Sequence, residues 1–191
     1  MKIPVEISAH HCHISRKDLD IIYGKGYKLT PIKPLSQTGQ FASKEKVTIK
    51  VGKNKIENVR ILGPERKNTQ VEISLTEAFK LKIKPPIAEC TQPGKTNGCT
   101  ICDIVGPKGS VRRCSIIIAH RHFHTDPKTA KKIGLKNKQK ISLKISGPRS
   151  VTFHNILVRI DPSFKPSVHL DTDEANAAGI KPGQKGEIII N

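Results

Sequence analysis

The sequence predicts a mainly β protein, built as barrels or sandwiches with few and short helices. Three observations carry this expectation. Short apolar–polar alternating runs dominate the chain: KVTIKV, NKIENVRIL, TQVEIS, QKISLKI, VTFHNILVRI and GEIII. Gly-Pro turns bound them, in LGPER, VGPKG and SGPRS. Period-2 patterning with closely spaced turns is the pattern of small barrels and sandwiches. Finally, one strand–cap–helix unit recurs four times, and each copy leaves room for only a short helix.

Taken in order, the elements are these. MKIPVEIS alternates from the start and enters a strand without any hydrophobic signal segment. HHCHISRKD follows, the first copy of the unit: His13-Ile14-Ser15, with Asp18 three residues after the cap Ser15 and Gly24 at the helix end. The runs KVTIKV and NKIENVRIL are the next strands, turning at LGPER into TQVEIS. That strand ends in the second copy, Glu72-Ile73-Ser74, where Glu77 completes a capping box with Ser74. The third copy is His124-Thr125-Asp126, with Pro127 at the first helical position and Gly134 closing the helix. After QKISLKI and VTFHNILVRI comes the fourth, His169-Leu170-Asp171, with Glu174 three after the cap and Gly179 at the end.

Each copy begins with a side chain able to bind metal, and in the first and third a second histidine precedes it by two, giving His11-x-His13 and His122-x-His124. Residues i and i+2 of a strand share a face, so each pair can grip one ion. A helix start just beyond brings free N–H groups that suit an anion. Together the four junctions supply His11, His13, Glu72, His122, His124 and His169, a set of imidazoles and one carboxylate that favours Zn²⁺ or a similar ion over Ca²⁺ or Mg²⁺. Alone, Glu72 reads as an exposed strand carboxylate and His169 as a capping or core histidine; their shared register with the H-x-H pairs is what includes them. His10, His120 and His154 lack that register and are expected to support the site from behind or to lie on the surface. Cys12, between two ligands, points to the opposite face and reads as a small buried apolar residue.

Composition narrows the function class. Lys+Arg 34 against Asp+Glu 16 gives a formal charge of +18. Scattered lysines mostly read as solvated strand faces, with attraction for polyanions or phosphate-rich cofactors as the functional reading. No Trp, two Tyr and five Phe make a poor base-stacking platform. No apolar run approaches the ~20 residues needed to span a bilayer. Five cysteines without a signal segment suggest a reducing, cytoplasmic setting. Cys90, Cys99, Cys102 and Cys114 include one C-x-x-C pair and are enough for a second, structural zinc site, although no second close pair is present; free thiols or a redox-labile pair are the alternative.

The stretches HCHIS, LSQTGQFA, VRILGPERKNTQVEIS, IVGPKGSV, RHFH and HLDTDEANAAG resemble the PduL-type phosphate acyltransferases (phosphate propanoyltransferases), from Val5 to the C-terminus. The resemblance implies the exchange acyl-CoA + phosphate ⇌ acyl phosphate + CoA, with acetyl- or propionyl-CoA as donor and two zinc ions per chain. By position, His11, His13 and Glu72 match the ligands of one ion, open to the CoA sulfur, and His122, His124 and His169 those of the other. Arg66 matches the arginine that holds phosphate. The implied fold is two small barrels capped by short helices: residues 1–9 with 120–191, the N-terminal strand being swapped in, and residues 10–119, including a two-stranded lid at 24–44. The implied active site lies at their interface. Ala9-His10 stands where the family usually has Asn-Arg, and an aliphatic residue is usual at Cys12. Members housed in bacterial microcompartments carry an N-terminal targeting extension, which this sequence lacks, so a free cytoplasmic enzyme is expected. Expected partners are acyl-CoA, CoA and phosphate, with neither nucleic acid nor membrane, and with a homodimer left open. Two rivals remain: a zinc-stabilised basic nucleic-acid-binding protein, which leaves the six ligands without a task, and a binuclear zinc acyl-CoA hydrolase, which differs only in nucleophile.

Overall fold

The computed structural model describes residues 1–89 and 100–190. Strands dominate, and the chain divides into two compact units, residues 1–9 with 120–191 (unit 1) and residues 10–119 (unit 2). In chain order the elements are β1 (Lys2–Ser8), β2 (His11–Ser15), α1 (Arg16–Tyr23), β3 (Pro31–Pro34), β4 (Phe41–Val51), β5 (Asn54–Arg66), β6 (Gln70–Glu72), α2 (Leu75–Leu81) and β7 (Ile87–Ala88). They continue with β8 (Thr100–Val105), β9 (Ser110–Ala119), β10 (His122–Thr125), α3 (Pro127–Lys132), β11 (Lys140–Ile145), β12 (Val151–Ile160), β13 (Ser167–Asp171), α4 (Thr172–Ala178) and β14 (Lys185–Ile189).

Unit 1 is a closed six-stranded barrel in the order β1-β13-β10-β12-β11-β14. The strand pairs β1/β13 and β10/β12 are parallel and the rest antiparallel. Unit 2 closes in the same way as β9-β6-β2-β5-β4-β8, with β9/β6 and β2/β5 parallel and the others antiparallel. Strand for strand the two circuits match, with one difference of connectivity. The place that β9 takes at the end of unit 2 is taken in unit 1 by β1, from the opposite end of the chain. The N-terminal strand is therefore swapped into the barrel otherwise made by the C-terminal half. β3 pairs with the start of β4 as a short two-stranded extension of the unit 2 barrel.

Alternation drives closure. Inward positions of unit 1 are Ile3, Val5, Phe123, Ile141, Leu143, Ile145, Ile156, Val158 and Val168, which form one apolar cluster. In unit 2, Cys12, Ile14, Val47, Ile49, Val59, Ile61, Val71, Cys102, Ile104 and Ile116 do the same. Intervening residues such as Lys44, Lys46 and Lys50 on β4 face outward, as period 2 requires.

Each of the four helices among the described residues follows one of the strands that carry the proposed ligands. Ser15 accepts from the Asp18 N–H, and Asp126 accepts from Lys128 and Thr129 ahead of α3, which has Pro127 in its first turn. Ser74 with Glu77 and Asp171 with Glu174 form complete capping boxes. The expected glycines Gly24 and Gly179 end α1 and α4, and Gly134 follows the last residue of α3 by two. No helix among the described residues is long and apolar enough to cross a membrane.

Candidate metal centres

On β2 the side chains of His11 and His13 share one face, while Cys12 and Ile14 fill the barrel core. The antiparallel neighbour β6 places Glu72 directly opposite His11. The Nε2 of His11 lies 3.5 Å from Glu72 Oε2, and that of His13 lies 3.8 Å from Oε1. These separations exceed a good hydrogen bond. They are close to the spacing of roughly 3.4 Å expected between donors sharing one tetrahedral ion. All three residues are buried.

Unit 1 repeats the construction in the same register. His122 and His124 share a face of β10, Phe123 fills the core, and β13 places His169 opposite His122. The imidazole centroids lie 4.5, 4.9 and 4.7 Å apart. In each triad one ligand atom per residue lies within 4.8 Å of the others, and these are the two such groups of His, Cys, Asp and Glu among the described residues.

Neighbouring groups hydrogen-bond to the candidate ligands. His122 Nδ1 is 2.8 Å from the carbonyl oxygen of His120, to which it donates, leaving Nε2 as a lone-pair donor. Gln70 Nε2 donates to Glu72 Oε1 at 2.7 Å. In the matching position of unit 1, Ser167 Oγ lies 3.0 Å from His169 Nε2. Phe164 stacks on His124 with centroids 3.9 Å apart, and Arg159 lies over the Phe164 ring, 5.7 Å from its centroid.

Electrostatics favour neutral imidazole, the form that binds metal. Burial, then the neighbouring His11, then the Arg66 charge hold the His13 pKa well below its ordinary value, against the opposing pull of Glu72. That coupling places Arg66, the last residue of β5, within electrostatic reach of His13, and its backbone pairs with Ser15 across a bulge. Three imidazoles of unit 1 converge without a carboxylate among them. Such donor sets suit Zn²⁺ or a similar transition ion in both units.

The remaining histidines lie outside the triads, and His154 is exposed. His10 Nδ1 contacts Glu77 Oε1, and His154 Nδ1 lies 2.9 Å from Ser142 Oγ. Gln70 and Ser167, each two residues before the third candidate ligand on the same strand face, carry no signature in the sequence. Of the four cysteines considered for a structural zinc site, Cys90 and Cys99 lie outside the described residues. Cys102 is a free, buried thiol 3.4 Å from Ser115 Oγ, pushed up to about 11 by burial, and Cys114 sits on β9 opposite Ile101.

The family model described as phosphate propanoyltransferase matches residues 4–181. The chain is similar to the phosphate propanoyltransferase of Thermotoga maritima, 46% identical over 98% of this chain and 89% of the relative. It is also similar to those of Clostridioides difficile, 44% identical over 98% and 88%, and Lachnoclostridium phytofermentans, 46% identical over 95% and 84%. With nearly the whole chain aligned to such relatives and to the family model, this protein belongs to the phosphate propanoyltransferase family.

Proposed function

We propose that the chain is a zinc-dependent phosphate acyltransferase, converting acetyl- or propionyl-CoA and phosphate to acyl phosphate and CoA, with both triads serving one reaction. The observation that carries this reading is the pair of triads in matching register, buried but for the half-buried His169, one of them with Arg66 within electrostatic reach. Family membership supports the reaction class. Bound to His11, His13 and Glu72 and to His122, His124 and His169, zinc would supply Lewis-acid polarisation and assistance to a departing thiolate.

The residues divide the remaining work. The planar Arg66 guanidinium can hold two phosphate oxygens and present a third to the thioester carbon. The new C–O bond forms as the C–S bond breaks, and the proton carried by phosphate ends on the departing CoA thiolate. Direct attack is favoured over an acyl-enzyme because Cys12, the thiol between two of the proposed ligands on β2, is wholly buried in the barrel core with its pKa pushed up by that burial. Basic side chains, in a chain of formal charge +18, are proposed to attract the CoA phosphates.

The test is CoA release from acetyl-, propionyl- and butyryl-CoA, with and without phosphate, in wild type and Arg66→Ala. Phosphate-dependent release that falls at least about 100-fold in Arg66→Ala supports the proposal. Release that needs no phosphate selects thioester hydrolysis instead. Loss of one triad, in His13→Ala or His124→Ala, is expected to abolish turnover in either case, since both serve one reaction.

A further inference from the structure

The residue before each H-x-H pair immediately precedes the strand, β2 or β10, that carries the pair. In unit 2 it is His10 and in unit 1 it is Arg121. Different in chemistry, they reach the same kind of partner. His10 Nδ1 contacts Glu77 Oε1, and Arg121 Nε lies 2.7 Å from Glu174 Oε1. Glu77 and Glu174 are the capping-box residues of α2 and α4. Their second oxygens are already engaged: Glu77 Oε2 accepts from the Ser74 N–H at 2.9 Å, and Glu174 Oε2 accepts from the Asp171 N–H at 3.0 Å.

One carboxylate in each unit therefore ties the strand bearing two ligands to the helix start that follows the third. Ser74 is two residues beyond Glu72, and Asp171 is two beyond His169. The cross-strand pairs His11/Glu72 and His122/His169 close the ring. β6 has three residues and β10 four, so their ladders alone offer few hydrogen bonds to fix the third ligand against the first two. The carboxylates are mostly buried, with side chains 17% and 18% exposed, which strengthens such a tie relative to a surface pair.

We infer that His10–Glu77 and Arg121–Glu174 are positioning pairs, each setting the reach of the third ligand and thereby the metal affinity of the triad in its own unit. The inference rests on reading the triads as metal sites. Unit 2 performs with a single imidazole donor what unit 1 performs with a guanidinium, and Arg121 is anchored further by its stacking 5.5 Å over Phe153. Replacing His10 with arginine should therefore preserve the tie.

The experiment is chelator competition for Co²⁺ and Zn²⁺ on the full chain, with the Co²⁺ absorption spectrum as a second readout. A His124→Ala background reports the unit 2 triad, and a His13→Ala background reports unit 1. His10→Ala and Arg121→Ala leave both capping boxes intact. His10→Ala is expected to weaken metal at the unit 2 triad about 10- to 100-fold, with unit 1 unchanged, and Arg121→Ala to do the reverse. His10→Arg should bind as wild type does. Should Arg121→Ala fail to fold, Glu174→Gln carries the same expectation, because its amide would set a donor against the guanidinium while its oxygen still caps. Curves for the alanine variants that superpose on the parent, or an equal loss at both triads, overturn the inference alone. A wild type that binds no metal overturns the triad reading and this inference together.

Discussion

At the scale of single residues, the proposed ligands are defined by face and register, and the groups beside them by chemistry. Arg66 is where the chemistry is most demanding, since a lysine keeps the charge but loses the fork. Arg66→Lys is expected to raise the KM for phosphate and lower kcat/KM about 10- to 100-fold, as measured by thiol release at varied phosphate. Gln70→Leu should leave the barrel folded but weaken metal at the unit 2 triad roughly 10-fold or more, as read by chelator competition. All six triad residues were legible in the sequence because two H-x-H pairs and two further ligands recur at one distance before a cap. Gln70 and Ser167 were not, because they differ from each other in residue type, and a polar residue two before a ligand carries no signature of its own. His10 was legible only as a residue facing away from the ligands, since its partner Glu77 lies 67 positions further along the chain.

Among the elements, the helices were the most legible, each announced by its own cap, because capping is a local interaction within four residues. Removing one cap, as in Ser74→Ala, should cost about 1 kcal/mol in a denaturant titration. Long-range fasteners were invisible in the sequence. Asp18, in α1, is buried and accepts from Arg113 Nη2 at 2.6 Å and from Thr69 Oγ1, residues far away in sequence. Burial alone would raise its carboxyl pKa, but the hydrogen bonds from Arg113 and Thr69 prevail and hold it below the ordinary 3.8. A folded value below the unfolded one means that this contribution to stability is complete above that ordinary value and is lost as the pH falls beneath it. Asp18→Asn should therefore destabilise the protein at neutral pH by roughly 1–3 kcal/mol, discounted for the half-exposed Arg113, and by less at a pH beneath 3.8. Equal losses at both pH values would show that Asp18 acts only by packing. Gly63 is a second fastener: a Cβ there would meet Phe41 Cζ at 2.2 Å. Gly63→Ala should push the ring away from the segment that leads to Arg66, lowering both stability, by about 1–3 kcal/mol, and phosphate-dependent turnover.

For the whole molecule, the decisive feature is the swapped β1. Local alternation marks residues 2–8 as a strand, but periodicity carries no information about which barrel receives it, and the family resemblance was what implied the swap. Physically, β1 closes unit 1 by pairing with β13 on one side and β14 on the other. Without it the barrel would have two open edges and would expose the cavity left by Ile3 and Val5, both buried in the unit 1 core. Unit 2 takes its corresponding strand, β9, from within its own segment, so its circuit stays closed. A chain lacking residues 1–9 should therefore unfold selectively. In hydrogen exchange, amides of β10 to β14 are expected to approach unprotected rates, while those of β2 to β6, β8 and β9 keep their protection. Metal binding should fall to the unit 2 triad alone, and phosphate-dependent CoA release should disappear. Uniform loss of protection in both halves would mean that the two barrels fold as one cooperative body, and unchanged protection of β10 to β14 would mean that β1 is dispensable to closure.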